Sequence, residues 1–249
     1  EQPNACRVTG GGRQENSFPV VRYVTHGGQV GAPVGMGINF GTFQREGNPC
    51  IQGNWEHVRH EKGGNRGNFH AKIFDSIQCA CLGCGESPGS GVVVDGLCNP
   101  DDRICGPEPR RAPGNKICFS GIGDYTMSSG SRTPRAVLFR VDIEDRSEPG
   151  SSSAGGSKPP PDRHRIRIWV LTAAELARLN NPSDRLLGMR QAIACTSGTT
   201  VLQDGAVGSD GKAVPLGTAV FGLRAPDVDD GGEMDHGNHQ IHPMIKKCP

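Results

Sequence analysis

At 249 residues the chain has room for one large β domain or two small ones, but only 34% of it is hydrophobic and 5% aromatic, so any core is thin. Its 37 glycines and 19 prolines exclude a helical bundle, because both residues destabilise helix interiors, and no Gly-x-y register points to collagen. Lys+Arg of 27 against Asp+Glu of 26 leaves a net charge of +1, without the basic stripe that nucleic acid would require.

In chain order, the opening EQPNAC is polar, so the chain reads as a mature one with any leader removed. No apolar stretch approaches the ~20 residues of a membrane helix. Short segments then follow that alternate or run apolar between turn residues: FPVVRYVTHGG (18–28), GMGINFGTF (35–43), IQGNWEHVRHE (51–61) and GNFHAKIFDSIQC (67–79). Each is a predicted strand. The stretch from Cys79 to Cys118 holds six of the ten cysteines and few apolar residues, which suits a loop-rich lobe held by cross-links.

The full set is Cys6, Cys50, Cys79, Cys81, Cys84, Cys98, Cys105, Cys118, Cys195 and Cys248. An even number scattered through a glycine-rich chain points to disulfides and an oxidising compartment, with the connectivity left open. A thiolate zinc site at CACLGC fits less well, because the next pair, Cys98 and Cys105, lacks the short spacing that structural zinc uses.

Beyond the lobe, KICFSGIGDYTM (116–127), RAVLFRVDIED (135–145) and HRIRIWVL (164–171) resume the strand pattern. Val137, Phe139, Val141 and Ile143 share one face, with Leu138, Arg140, Asp142 and Glu144 on the other. This is the period of a half-buried strand. HRIRIWV repeats it, so its arginines need no nucleic acid. The run RSEPGSSSAGGSKPPPDR (146–163) has linker composition, yet the matching strands around it suggest that it joins two neighbours of one sheet. One helix is predicted in LTAAELARLNNPSD: Thr172 as N-cap, Glu175 completing a capping box, and a stop at Asn181-Pro182, with Leu176 and Leu179 facing the sheet. RQAIACTSG (190–198) and TAVFGLRA (218–225) are two further predicted strands.

The chain closes on DVDDGGEMDHGNHQIHP. In an extended strand His236 and His242 share a face and His239 takes the other, so the His-x-x-His-x-x-His spacing does not by itself converge on an ion. Asp227, Asp229 and Asp230 offer oxygen ligands for calcium, without the spacing of an EF-hand loop. His57, His60 and Glu61 in HVRHE, and His70, are the residues a hydrolase would draw on. The chain has no His-Glu-x-x-His or phosphate loop. Trp55, Trp169 and Tyr125 are the aromatics available for a sugar platform.

VTGGGR, GNWEHVRHEKGGNRGNFHAKIFDSIQC and FSGIGDYTM…VLFRVDIEDRSEPG…DRHRIRIWV resemble a family of bacterial secreted β domains, uncharacterised modules found after choice-of-anchor domains in exported proteins. The closing GGEMDHGNHQIHP resembles that family's last strand. The resemblance implies an extracellular β fold and brings no activity. It also places acids at Asp145, Glu148 and Asp162, which with Asp227, Asp229, Asp230, His236 and His242 make up the candidate metal ligands, calcium being the candidate ion. The Cys-rich segment 79–118 and the helix-containing segment 173–214 read as insertions.

The expectation is therefore one mainly β domain over 1–249, an antiparallel sandwich or roll with one short helix and a disulfide-rich loop insertion. Its expected role is that of a secreted or cell-surface structural and interaction protein rather than an enzyme, with itself as partner in a layer, matrix or fibre. Assembly would run by strand addition at sheet edges or by disulfides from Cys6 and Cys248. A carbohydrate- or metal-binding module is the alternative, and a secreted hydrolase the second alternative.

Overall fold

The computed structural model describes residues 6–15, 21–32, 47–62, 66–80, 114–128, 132–146, 161–195 and 221–243. Nine strands appear in it: β1 (Cys6–Gln14), β2 (Val21–Ala32), β3 (Gln52–Glu61), β4 (Arg66–Ala80), β5 (Lys116–Met127), β6 (Arg135–Glu144), β7 (Arg163–Val170), β8 (Val228–Glu233) and β9 (His236–Pro243). They form one sheet in the order β8-β7-β6-β5-β4-β3-β2-β1-β9, every neighbouring pair antiparallel. The two edge strands are consecutive in the chain, separated only by Met234 and Asp235, so the sheet curls until its edges meet. It is a roll rather than a sandwich.

Local sequence produces the curl. β4 carries two register shifts against β5, between Ala71 and Ile73 and between Phe74 and Ser76, and bulges bend a strand and tighten its twist. Gly10 and Gly28 face each other across β1 and β2 with φ of 126° and 148°. A Cβ at either would stand 2.2 Å from a backbone carbonyl oxygen of the next strand, Asn238 or Asn54, so only glycine admits this bend.

The inner face packs Val8, Val30, Trp55, Phe69, Phe119, Phe139, Val141, Ile143, Ile166, Ile168 and Ile241 into one core. Two helices, α1 (Ala173–Asn180) and α2 (Leu187–Ala192), belong to a segment that covers the outer face of β5–β7. A second core of Ile122, Leu138, Trp169, Leu171, Leu186 and Ile193 forms beneath it. The expected half-exposure of β6 and β7 is corrected by this outer layer: Arg140, Asp142, Arg165 and Arg167 are buried. They are tolerated there as ion pairs. Arg140 grips both oxygens of Asp142 at 3.0 and 3.1 Å, and Arg165 grips both oxygens of Asp229 at 2.7 Å. Burial foremost lowers Arg167 to about 10, still charged at neutral pH, beside Asp142 at 3.4 Å.

The predicted helix forms as α1 with the capping box of Thr172 and Glu175 in place. Leu179 packs against the outer core, whereas Leu176 stays 40% exposed. Residues 146–163 join β6 and β7, which are neighbours. Two predicted strands are corrected. The region from Arg190 begins inside helix α2, a short apolar run being readable either way, and Arg190 is drawn inward by a two-point ion pair with Asp75 at 2.6 and 2.8 Å. In TAVFGLRA, Phe221 and Gly222 form a turn at φ of 58° and 71°, and 218–220 lie outside the described residues. Strands β1 and β8 were not expected, and 35–43 also lie outside the described residues.

Cys6 bonds Cys79, tying β1 to β4 over 73 residues, and Cys118 bonds Cys195, tying β5 to the segment after α2 over 77. Cys50 is disulfide-bonded as well. Cys81, Cys84, Cys98, Cys105 and Cys248 lie outside the described residues. Because Cys6 is spent within the chain, an intermolecular bond from it is ruled out as a route of assembly.

Candidate functional site: an interior histidine cluster

Strand parity decides what enters the roll. On β2, His26 is two residues from Val24; on β3, His57 is two from Trp55; on β7, His164 is two from Ile166; on β9, His239 is two from Ile241. Each histidine shares its apolar neighbour's inward face and is buried with it. Cross-strand glycines make room for the rings: Gly12 lies beside His26, Gly10 beside His239 and Gly232 beside His164.

The four imidazoles and Trp55 gather as a stack. His26 lies on His164 with centroids 3.6 Å apart and planes 6° from parallel. His239 and His57 follow at 5.0 and 6.3 Å from His26. Trp55 stands 5.9 Å from His164. Burial, reinforced by neighbouring imidazoles, pushes His26 and His164 well below the ordinary histidine value, and burial lowers His239 to about 3. These three rings are neutral.

Their hydrogen bonds fix which nitrogens carry protons. The Gln14 amide nitrogen donates to the carbonyls of His164 and Gly232 at 3.0 and 2.6 Å, which turns its oxygen to His164 Nδ1 at 3.1 Å. That oxygen can only accept, so His164 is protonated on Nδ1 and holds its lone pair on Nε2. His57 donates from Nε2 to Asp230 Oδ2 at 3.0 Å, which leaves Nδ1 as its other ring nitrogen. Arg59 Nε stands 2.8 Å from the same carboxylate oxygen, balancing its charge. His26 and His239 share one proton across 3.0 Å between their Nε2 atoms. His164 Nε2, His57 Nδ1 and His26 Nδ1 are buried without a hydrogen-bond partner among the described residues.

The residues singled out from sequence are dispersed. Asp145 and Asp162 work at the seam where the sheet edges meet. Asp145 Oδ2 accepts from the Ile241 amide, and Asp162 accepts from the amides of His239 and Arg146, all at 2.8 Å. Asp227 accepts from the Val170 amide at 2.7 Å and from Arg224 at 2.8 Å. Asp229 holds Arg165 on the outer face, and of these acids among the described residues only Asp230 reaches the histidine cluster. The side chain of His236 is exposed beside Asp235, and His242 meets the Thr9 hydroxyl at 3.0 Å. Glu148 lies outside the described residues. His60 stacks on Tyr23 and His70 pairs with Glu56. Trp55, Trp169 and Tyr125 are all buried, so none of the three offers a ring to a sugar.

Sequence reasoning passed over His26, His164 and Gln14. The usable signal was a histidine two residues from an aliphatic or aromatic side chain on a strand, which marks an inward imidazole. No family model, curated protein or solved structure matches the chain.

Proposed function

We propose that the chain is a structural and interaction module working outside the cell, in a layer, matrix or fibre built from copies of itself. The observation that carries this reading is that every described cysteine is disulfide-bonded, two of the bonds closing loops of 73 and 77 residues in a β-roll with a thin core. Such bonds persist in an oxidising compartment. The resemblance of several strand motifs to secreted β domains supports the same location. The β9 edge amides at 239 and 241 are taken by carboxylates, so self-association on this reading runs through side-chain surfaces rather than strand addition there.

Alkylation and mass spectrometry of the exported, unreduced protein are expected to find no reactive thiol, and sedimentation with electron microscopy to find assemblies that grow with concentration. Free thiols at Cys6, Cys79, Cys118 or Cys195 would overturn the location. A monomer at every concentration would overturn the assembly.

A further inference from the structure

We infer that the interior of the roll is a transition-metal site, in which His26, His57 and His164 each give one ring nitrogen to a single divalent ion of the zinc, cobalt or copper class. One nitrogen from each of these buried rings lies within 4.8 Å of the others. Two of the three are aimed by their neighbours. Gln14 holds the proton of His164 on Nδ1, and Asp230 accepts the proton of His57 on Nε2, so the remaining nitrogen of each is the one with no partner. A histidine whose second nitrogen donates to a carboxylate or amide oxygen is the arrangement that orients and strengthens metal-binding imidazoles. An all-imidazole donor set suits zinc, copper and cobalt, and does not suit calcium, which takes oxygen.

The cluster must tighten to accept the ion. Nitrogens on opposite sides of a metal at about 2.1 Å stand about 4.2 Å apart at most, and lone pairs lie in the ring planes. His26 is stacked flat on His164, so it is the ring that must turn. Its hydrogen bond among the described residues is the one to His239, while His57 and His164 stay anchored by Asp230 and Gln14. Turning His26 breaks that hydrogen bond, and the ring meets the ion with whichever nitrogen does not carry its proton.

The test uses the full chain with its disulfides intact, stripped with chelator in guanidinium and refolded with Co(II) or with Zn(II). The expected result is one ion per chain, X-ray absorption showing at least three imidazole nitrogens, and a higher thermal midpoint. His26→Phe, His57→Phe and His164→Phe preserve the ring volume of the stack. Each is expected to weaken binding by about 100-fold or more, beyond the 10–100-fold that losing an orienting partner costs. The surface pair His70→Asn/His236→Asn is expected to bind as wild type. The inference is overturned if the refolded wild type takes up less than one ion per chain, or if its bound ion shows fewer than three imidazoles. It is overturned equally if a folded His164→Phe variant binds as tightly as wild type, or if the surface pair abolishes uptake. Should a phenylalanine variant not fold, stoichiometry and ligand count on the wild type decide the matter.

Discussion

Neutral imidazoles packed against one another link the stability of the roll to pH. His239 is lowered to about 3, and His26 and His164 are lowered well below 6.5 by burial first and by neighbouring imidazoles second. A histidine that binds its proton less readily folded than unfolded makes stability rise with pH between its two values, because the unfolded chain takes up the extra proton. For His239 that window runs from 6.5 down to about 3. Each pH unit of descent within it removes about 1.4 kcal/mol, and His26 and His164 act in the same sense. With chelator present, the urea midpoint is expected to fall as pH drops below 6.5, before the carboxylates titrate. A midpoint level from pH 7 to pH 5 would contradict the neutral stack. At this scale sequence reveals much less than structure: HVRHE and the closing histidines drew notice as motifs, yet His57 and His239 matter because parity turns them inward to meet His26 and His164, more than 100 residues from one another along the chain.

The elements show how a curled sheet disposes of its edges. An edge strand offers unpaired amides to any other strand, and covering them guards against aggregation. Here Asp145 and Asp162 reach over from the β6–β7 connection to the β9 amides of Ile241 and His239, while the Asp162 carbonyl accepts from the Met234 amide at 2.8 Å. Asp162→Ala leaves the buried His239 amide and the Arg146 amide without acceptors, which should cost about 2–4 kcal/mol. Urea denaturation is expected to show that loss, and hydrogen exchange to quicken at His239 before Ile241. Unchanged exchange at His239 would mean that the carboxylate does not close the seam. The fold itself was largely legible. Strand β6 announces itself through Val137, Phe139, Val141 and Ile143, and α1 through Thr172 and Glu175. Strand β1 was hidden by Gly10, Gly11 and Gly12, and β8 by acids that looked like turn residues, because both strands carry backbone pairing with little apolar alternation. Arg165 and Arg167 looked solvent-facing because the layer that buries them comes from residues later in the chain.

At the scale of the whole molecule, two cores share one sheet and each has its own staple. Cys6–Cys79 crosses the roll from β1 to β4, whereas Cys118–Cys195 pins the outer layer to β5. Loop-closure entropy gives either bond about 4 kcal/mol for loops of this length, so their removal should cost similar amounts but release different parts. The outer layer keeps Arg190 on Asp75, Arg140 on the carbonyls of Ile193 and Ala194, and the Cys195 amide on Ser76. The two arginine contacts involve buried charges whose net worth is small once desolvation is counted, and the Cys195–Ser76 bond is a single neutral one. Without Cys118–Cys195 the layer should therefore detach while the roll persists. The two tryptophans report the two cores separately, Trp55 inside the roll and Trp169 beneath the outer layer. In a Cys118→Ala/Cys195→Ala chain carrying only one of them, Trp169 emission is expected to shift red at a lower urea concentration than Trp55 emission. Removal of Cys6 and Cys79 instead should move the Trp55 transition down at least as far as that of Trp169. Coincident transitions in the first variant would show that the layer and the roll unfold as one unit, and that the disulfide between them stabilises both equally.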